Sequence, residues 1–500
     1  MPYFNSLASQ NVLFTQYYAN THPSIGNYFM ITTGQIITNN DSFTGTVTQD
    51  NIVRHMLTAG KTWKSYAESL PSVGLPHRRL CRGGFLFAAT LKRRAGLNRA
   101  RPGLQEGMIY HFLCGPRNMS AALDHSALSS TCRRQQAEML DLLRRIVEME
   151  SPSDNKEALD RLGEFLASEF SKLGAQVSFS EQSDAGNHVK AEFDGDSRKP
   201  ILLLGHFDTV WPLETLSTMP FRVEGGRAFG PGIYDMKTGI AMMLFALRLL
   251  REIRATHRPV TVLLDSDEEV GSRTGRPLVE DTARGCEAVL VLEPSQTIRG
   301  FLKTARKGVG DFLLRVRGHA SHAGVDFEKG HSAIVELSRQ LLDVTHFTDL
   351  KRGITVNPGV VYGGTRTNVV AAQAVAEIDV RIARLADGPE LEKKFQSLKP
   401  YDPGCTIEVT GGINRPPMER TEGTVRLFEI AKEQAARLGI TLQESSTGGG
   451  SDGNFTSALG VPTLDGLGAV GEGAHARHES IVIEELPKRT ALLAALIQSL

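Results

Sequence analysis

The chain has 500 residues, with 56 basic and 56 acidic side chains and a formal net charge of zero at pH 7. This length predicts two or three domains. A composition of 41% hydrophobic and 22% charged residues is typical of a globular protein. The balanced charge argues against broad electrostatic attraction to nucleic acid or to an anionic membrane, so we expect neither as a partner.

No stretch of 18 or more apolar residues is present, so we expect no membrane-spanning helix. The start, MPYFNSLASQ, lacks the basic residues and the continuous apolar core of a signal peptide, and a cytoplasmic protein is the expectation. The cysteines are scattered without a CxxC pair, which predicts reduced structural thiols rather than disulfides or a thiolate zinc site. They are Cys81, Cys114, Cys132, Cys286 and Cys405.

The first 130 residues differ in character from the rest. Residues 1–75 are rich in Asn, Thr, Tyr and Phe, whereas residues 76–130 are basic and irregular. Between His77 and Arg101 there are eight Lys or Arg residues and no acid. A basic arm that binds nucleic acid is one interpretation. We favour a poorly ordered linker.

From about Thr131 onward, amphipathic helices alternate with short apolar strands. AEMLDLLRRIVEME has apolar residues at helical spacing, and a second helix follows with Ser151 or Ser153 as its N-cap. The apolar runs PILLLGHFDTV, VTVLLDSDEEV and AVLVLEP then alternate with helical segments. This rhythm predicts an α/β domain with a largely parallel sheet, made of residues 131–306 and 411–500.

Residues 307–410 interrupt this domain with a different pattern. GDFLLRVRG, GITVNPGVVYGG, AAQAVAEIDVRIAR and CTIEVTG have the pattern of strands, and two helical segments lie among them. The resulting order, β-α-β-β-α-β, is that of a ferredoxin-like α+β domain. We therefore expect an inserted domain of that fold.

Acidic and imidazole side chains follow several of the predicted strands. Ligands gather outside the carboxyl ends of strands in open α/β sheets, so we expect these side chains to lie together. A set of His, Asp and Glu without cysteine suits a hydrolytic zinc site or a similar divalent site. Two cations bridged by a carboxylate would need two further ligands each and one unligated base. The candidates are His206, Asp208, Asp235, Glu268, Glu269, Glu293, His475 and His478.

The joint pattern resembles the M20 family of metallopeptidases, and within it the glutamate carboxypeptidase (carboxypeptidase G2-like) branch. The resemblance covers residues from about 131 to 500. It implies a zinc-exopeptidase catalytic domain with an inserted ferredoxin-like lid and dimerisation domain. The matching motifs are GHFDTV, GPGIYDMKTGIA, DSDEEVGS, LEPS, GHASHAG, GGTRTNVV, GGGSDG and GAHARHE.

The resemblance also implies roles for individual residues. His206 and Glu293 would hold one Zn²⁺, Glu269 and His475 the other, and Asp235 would bridge them. Co²⁺ or Mn²⁺ are alternative metals. His475 is preferred to His478 as the ligand because, in the family, this histidine precedes a glutamate by four or five residues, as His475 precedes Glu479.

Asp208 would orient His206, a supporting role common around metal ligands. Glu268 would be the general base.

The resemblance gives the inserted domain two functions. Its His322 would reach the active site of the opposite subunit of a homodimer and help to stabilise the oxyanion, whereas His319 is expected at the surface. Asn368, Arg381 and Arg415 would hold the substrate carboxylate, since arginine can bind a carboxylate through two parallel hydrogen bonds. For Arg381 a salt bridge on the strand face is an equal alternative.

The implied activity is hydrolysis of an amide bond next to a free carboxylate, in a small peptide or N-acyl amino acid. Removal of a C-terminal glutamate is the leading prediction, and an aminoacylase, dipeptidase or deacylase is the alternative. Residues 1–75 instead resemble the start of an alkaline-phosphatase-superfamily phosphoesterase, with Ser24 as the nearest nucleophile candidate. We interpret them as a truncated segment, and phosphoesterase activity is a minor alternative.

Overall fold

The structure is a computed structural model that describes residues 124–500. The expectations for the phosphoesterase-like segment, for Ser24 and for most of the basic linker lie outside the described residues. Within residues 124–500, no helix is long and apolar enough to cross a membrane.

Most α-helices between residues 124 and 500 are amphipathic, but the short helix Gly453–Ala458 and two long helices are buried at most of their residues. The two long buried helices are α4 and α10, which pack against each other in the core. The helices are α1 (His125–Arg134), α2 (Gln136–Glu148), α3 (Lys156–Lys172), α4 (Thr238–Glu252), α5 (Gly275–Arg284), α6 (Ala333–Thr345), α7 (Asp387–Gln396), α8 (Glu422–Arg437), α9 (Gly453–Ala458) and α10 (Glu485–Ser499).

The strands of the same region form two main sheets and two small ones. They are β1 (Gln176–Ser180), β2 (His188–Phe193), β3 (Ile201–His206), β4 (Arg222–Glu224), β5 (Arg227–Phe229), β6 (Val260–Asp265), β7 (Ala288–Val291), β8 (Leu302–Arg306), β9 (Gly308–Arg317), β10 (Thr355–Gly363), β11 (Gln373–Ile382), β12 (Thr406–Arg415), β13 (Glu444–Thr447), β14 (Thr463–Leu464), β15 (Gly471–Glu472) and β16 (Ser480–Val482).

The larger sheet has six strands in the order β1-β2-β6-β3-β7-β14. Strands β6, β3, β7 and β14 are parallel, while β1 and β2 form an antiparallel edge. Every residue of β3, β6 and β7 is buried, as expected for parallel strands covered by helices on both faces. The predicted α/β fold with a largely parallel sheet is confirmed.

The inserted domain has its own sheet and its own core. Its four strands lie in the order β10-β11-β9-β12 and all neighbours are antiparallel, which is the ferredoxin-like arrangement. Helices α6 and α7 cover one face of this sheet. In the core between sheet and helices, Phe312 of β9 stacks on Phe395 of α7. The chain enters on β9 and leaves on β12, and Val309 and Arg415 near these ends are paired across the two strands.

The polar segment before α3 folds differently from the expectation. The N-cap of α3 is Asn155, whose side chain accepts a hydrogen bond from the Ala158 N–H. Ser151 and Ser153 are not caps, so that expectation was wrong. Their hydroxyls donate instead to the carbonyl of Phe207 and to Asp208, each at 2.7 Å. Both serines therefore support the segment after β3, where side-chain partners distant in sequence outweigh a local cap.

Helix α1 begins at His125, ahead of the start expected near residue 131. Its side chains Leu128 and Cys132 are buried in the core of the larger domain, and the helix packs against α10. We therefore propose that this domain includes α1.

Replacing Leu128 with alanine is expected to lower the free energy of unfolding by about 2–5 kcal/mol, because it leaves a cavity in a packed core. Urea unfolding measures the change. Ser126→Ala, at an exposed position of the same helix, is the matched control and should differ from wild type by less than about 0.5 kcal/mol. Equal stabilities of the Leu128 variant and wild type would contradict the assignment of α1 to this core.

Candidate metal centre

The carboxyl ends of three neighbouring parallel strands meet at one edge of the large sheet. His206 is the last residue of β3, and Asp208 follows it. Glu268 and Glu269 lie in a short 3₁₀ turn just after β6, and Glu293 lies just after β7. Because β3 pairs in parallel with both β6 and β7, these side chains reach the same edge, as the sequence predicted.

The first group of candidate ligands surrounds the imidazole of His206. Its Nε2 atom lies 3.3 Å from Oδ1 of Asp235 and 3.4 Å from Oε1 of Glu293. All three side chains are largely buried, and they form a set with ligand atoms close enough to hold one cation. Burial alone would raise the pKa of Glu293, but the contacts with His206 and Arg306 lower it below its usual value.

The second group shares Asp235 with the first. Nε2 of His475 lies 3.6 Å from Oδ2 of Asp235 and 3.1 Å from Oε2 of Glu269. The hydrogen bond with Glu269 raises the pKa of His475 to about 9. Since the two carboxylate oxygens of Asp235 face different histidines, this residue is placed to bridge two cations.

The residues present fit a pair of divalent cations. Oδ1 of Asp235 is buried and accepts no hydrogen bond from any described residue. Such an atom costs free energy unless it has a partner, and a cation would provide one. Three carboxylates and two imidazole nitrogens make up the ligand set, a combination of donors that suits zinc and related hydrolytic metals.

Asp208 connects two of the strand ends. Oδ1 of Asp208 lies 3.3 Å from Nδ1 of His206, on the ring edge opposite the candidate metal. The same carboxylate accepts hydrogen bonds from the backbone N–H groups of Glu268 and Glu269 at 3.2 and 3.1 Å. Asp208 therefore fixes the position of the glutamate pair as well as that of the histidine, which goes beyond the sequence-based role.

Glu268 belongs to neither candidate ligand group. Its Oε1 atom lies 3.0 Å from Nη2 of Arg415, which also donates to the carbonyl of Glu268 at 2.8 Å. Burial raises the pKa of Glu268 above its usual value, and the charge of Arg415 opposes that shift. A carboxylate next to the ligands but outside the ligand groups has the placement of a general base.

Arg415 is itself buried, and both of its terminal nitrogens donate hydrogen bonds to protein groups. Its other hydrogen bonds are to Asp452 at 2.6 Å and to the hydroxyl of Ser272 at 3.0 Å. The predicted role in holding a substrate carboxylate would require an exchange of some of these partners. Sequence reasoning missed Asp452, although it lies in the quoted motif GGGSDG.

A second buried arginine, Arg306 of β8, supports the ligand Glu293. It lies 3.3 Å from Oε2 of Glu293 and forms a two-point salt bridge with Asp465 at 2.7 and 2.9 Å. Sequence reasoning missed this residue. The available signal in the sequence was a pair of basic residues, Lys303 and Arg306, in the short segment FLKTAR. In the structure this segment forms the mostly buried strand β8.

Two of the predicted residues of the insert, His322 and Asn368, belong to neither candidate ligand group. His322 and Asn368 are exposed and adjacent, because residue 322 pairs with Val369 in a β-bridge and the Ala323 N–H donates to the Asn368 carbonyl. Within the described chain, His322 belongs to no candidate ligand group. Its role in the active site of an opposite subunit stays a prediction.

Arg381 forms the strand-face salt bridge considered as an alternative. Its guanidinium contacts both carboxylate oxygens of Asp379, at distances from 2.7 to 3.1 Å. One nitrogen also reaches the carbonyl of Gly448 at 3.5 Å, so Arg381 connects the insert to the glycine-rich loop of the larger domain.

The two histidines judged less suitable are at the surface. His478 is exposed and belongs to neither candidate ligand group, while His475 does. His319 is exposed and pairs with His331 in a β-bridge of the insert.

A third His–Asp group lies behind the metal centre. It consists of His188, Asp265 and Asp267, all buried. Asp267 accepts three hydrogen bonds from Thr274 and Gly275, and His188 contacts Thr274 at 3.0 Å. Protein donors occupy both oxygens of Asp267, whereas Oδ2 of Asp265 is buried and accepts no hydrogen bond from a described residue. We therefore assign a structural role to Asp267 alone.

The model of the peptidase family M20/M25/M40 matches residues 202–499. Carboxypeptidase G2 from Pseudomonas sp. strain RS-16 is 32% identical over 378 residues, which cover 73% of this chain and 90% of that protein. The chain belongs to the M20 peptidase family. The predictions of an M20 fold and of an enzyme of the metallocarboxypeptidase and amidohydrolase type are confirmed.

The chain is also similar, at lower identity, to a desuccinylase and to a solved structure. Succinyl-diaminopimelate desuccinylase from Stenotrophomonas maltophilia is 26% identical over 325 residues, covering 61% of this chain and 85% of that protein. Among solved structures, the YXEP protein of Bacillus subtilis, described as a dinuclear metal binding peptidase of the M20 family, matches with a TM-score of 0.55. It is 17% identical, and the match covers 73% of this chain and 98% of that one.

Proposed function

We propose that this M20 enzyme is a dinuclear zinc hydrolase that cleaves an amide bond next to a free carboxylate. Its preferred reaction in this proposal is the release of a C-terminal glutamate. The main support is the arrangement around Asp235. Two ligand groups share this residue, and Glu268 stands beside them without belonging to either. In this proposal His206 and Glu293 hold one zinc and Glu269 and His475 the other.

The preference for glutamate is supported by similarity to carboxypeptidase G2, the more similar of the two relatives described. The alternative is an aminoacylase, dipeptidase or deacylase that acts on other N-acyl amino acids. It is supported by the likeness to a succinyl-diaminopimelate desuccinylase. The chemistry is the same in both cases, and the difference lies in recognition of the side chain next to the bond.

The chain's own residues would share the work of hydrolysis. When bound, the cations polarise the substrate carbonyl as Lewis acids. Glu268 accepts a proton from the attacking water and passes it to the leaving nitrogen. Asp208 keeps His206 and the Glu268 backbone in place. Asn368, Arg381 and Arg415 would hold the substrate carboxylate, and Arg415 would first have to exchange some of its present partners.

The proposed function is tested with the full chain loaded with Zn²⁺, or with Co²⁺ or Mn²⁺. N-acyl glutamates are compared with N-acyl alanine, N-acyl lysine, N-succinyl amino acids and unblocked dipeptides, and kcat/KM is measured for each. Highest kcat/KM with the N-acyl glutamates supports the leading proposal. Preference for another acyl amino acid or a dipeptide supports the alternative, and absence of amide hydrolysis with every metal contradicts both.

We also propose that the enzyme is a homodimer formed through the insert. Strand β10 lies at the edge of the insert sheet, and its side chains Val360, Val361 and Tyr362 are about half exposed. Val335 and Leu342 on the neighbouring helix α6 are exposed as well. An apolar edge strand tends to pair with another chain unless it is covered, and a second copy would cover it.

Mixing two inactive variants tests whether His322 acts across that dimer. We expect Glu268→Gln and His322→Ala each to be nearly inactive alone. After the two variants are mixed, unfolded and refolded together, activity should return to about a quarter of wild type. Random pairing makes about half of the dimers mixed, and each mixed dimer has one complete site out of two. The control is each variant refolded alone. No recovery in a mixture shown to contain mixed dimers would contradict action in trans.

A further inference from the structure

Glu479 is a fully buried carboxylate that four N–H groups of the large domain surround. Its Oε1 accepts hydrogen bonds from the backbone N–H groups of Tyr234 and Asp235, at 2.8 and 3.1 Å. Its Oε2 accepts from the Gly232 N–H at 3.0 Å and from the indole N–H of Trp211 at 2.8 Å. Three of the four donors belong to the turn that carries the bridging residue Asp235.

The same glutamate ends the loop that carries His475. The Glu479 N–H donates to the carbonyl of Ala476 at 2.8 Å, and the Ala476 N–H donates to Gly473 at 2.9 Å. His475 has a φ of 60°, in the left-handed region that is uncommon for a residue other than glycine. The loop must hold this conformation for the imidazole to reach Glu269, so its closure at Glu479 matters for the second ligand group.

The partners of Glu479 require a carboxylate. All four are donors, so both oxygens must accept, and hydrogen bonds to a charged acceptor are stronger than neutral ones. Loss of the carboxylate would leave the N–H groups of the Asp235 turn without an acceptor in a buried position, which is costly for each group. The turn would then be free to adopt other conformations in which Asp235 faces the histidines less well.

We propose that Glu479 is a positioning residue that joins the Asp235 turn to the His475 loop and thereby sets the affinity for both cations. It touches neither cation in this role and acts through the backbone of the ligands. The inference rests on the proposed dinuclear centre.

The test measures metal affinity rather than activity. Zn²⁺ is titrated into the metal-free full chain in competition with a chromophoric chelator, for wild type, Glu479→Ala, Glu479→Gln and Trp211→Phe. We expect both glutamate variants to lose affinity at both sites by about 10–100-fold, the usual effect of removing a partner behind metal ligands. Trp211→Phe removes only the one donor that lies outside the Asp235 turn. We therefore expect the Zn²⁺ affinity to change by less than about threefold, because the other hydrogen bonds to Glu479 remain.

If the alanine variant fails to fold, the Glu479→Gln variant decides the test. Glutamine preserves the volume of the side chain but places an NH₂ group against the surrounding N–H donors. Circular dichroism of the metal-free proteins checks that the compared variants are folded. A folded glutamine variant with wild-type affinity at both sites would overturn the inference, as would an equal loss in Trp211→Phe. If wild type itself binds fewer than two Zn²⁺, the proposed dinuclear centre fails, and this outcome differs from failure of the inference alone.

Discussion

Replacing Glu268 with glutamine is expected to lower kcat by a factor of about 10²–10⁴, the usual contribution of general acid–base catalysis. The amide keeps the volume of the side chain and can still accept a hydrogen bond from Arg415, which lies 3.0 Å from Oε1 in the structure. It cannot take up a proton from water at neutral pH. Steady-state kinetics on the best substrate, with metal content measured on the same sample, checks the expectation.

Metal content is the decisive part of that measurement. Since Glu268 lies outside both ligand groups, the variant should keep two cations per chain while losing turnover. Glu157→Gln, an exposed position on α3, serves as the control for the loss of one negative charge. Wild-type kcat in the metal-loaded Glu268→Gln protein would rule out this residue as the base, and loss of one cation would make it a ligand instead.

Replacing Asp235 with alanine should have the largest effect on metal binding. Both of its carboxylate oxygens face candidate ligand groups, so the substitution removes one ligand from each cation and the negative charge between them. We expect the Zn²⁺ affinity at both sites to fall by more than about 100-fold. This exceeds the loss of about 10–100-fold that is typical when a residue that only supports a metal ligand is removed. Activity should fall below detection at metal concentrations that saturate wild type.

Two histidine variants provide the comparison. His475→Ala should weaken one site selectively, because this histidine belongs to only one ligand group. His478→Ala, three residues away and exposed, should bind both cations as wild type does. A result in which Asp235→Ala loses only one cation would contradict its role as a bridge.

The sequence predicted the parts of the centre that local patterns specify. His206, Glu269 and Glu293 follow apolar strands, and the rule that ligands gather at carboxyl ends of parallel strands places them together without knowledge of the whole fold. The resemblance to the M20 family, in which the ligand histidine precedes a glutamate, favoured His475 over His478, and only His475 belongs to a candidate ligand group. The ferredoxin-like insert followed from the order of its elements.

The parts that sequence reasoning missed depend on contacts between residues far apart in the chain. Arg306 reaches Asp465, and Glu479 reaches the turn around Asp235, through hydrogen bonds that no periodicity or motif indicates. Arg415 was expected to bind substrate, yet in the structure Asp452 and Glu268 occupy its guanidinium. The two members of a buried ion pair meet only when the chain is folded, so composition and spacing alone cannot identify them.

The pairing of Val309 with Arg415 has a consequence for folding. The insert encloses its own hydrophobic core, and its two ends lie opposite each other on adjacent strands. Once the insert has folded, the larger domain has only a short gap to close between β8 and α8, instead of a loop of the insert's full length. Loop-closure entropy rises with loop length, so a folded insert lowers the entropic cost of assembling the sheet that carries the metal ligands.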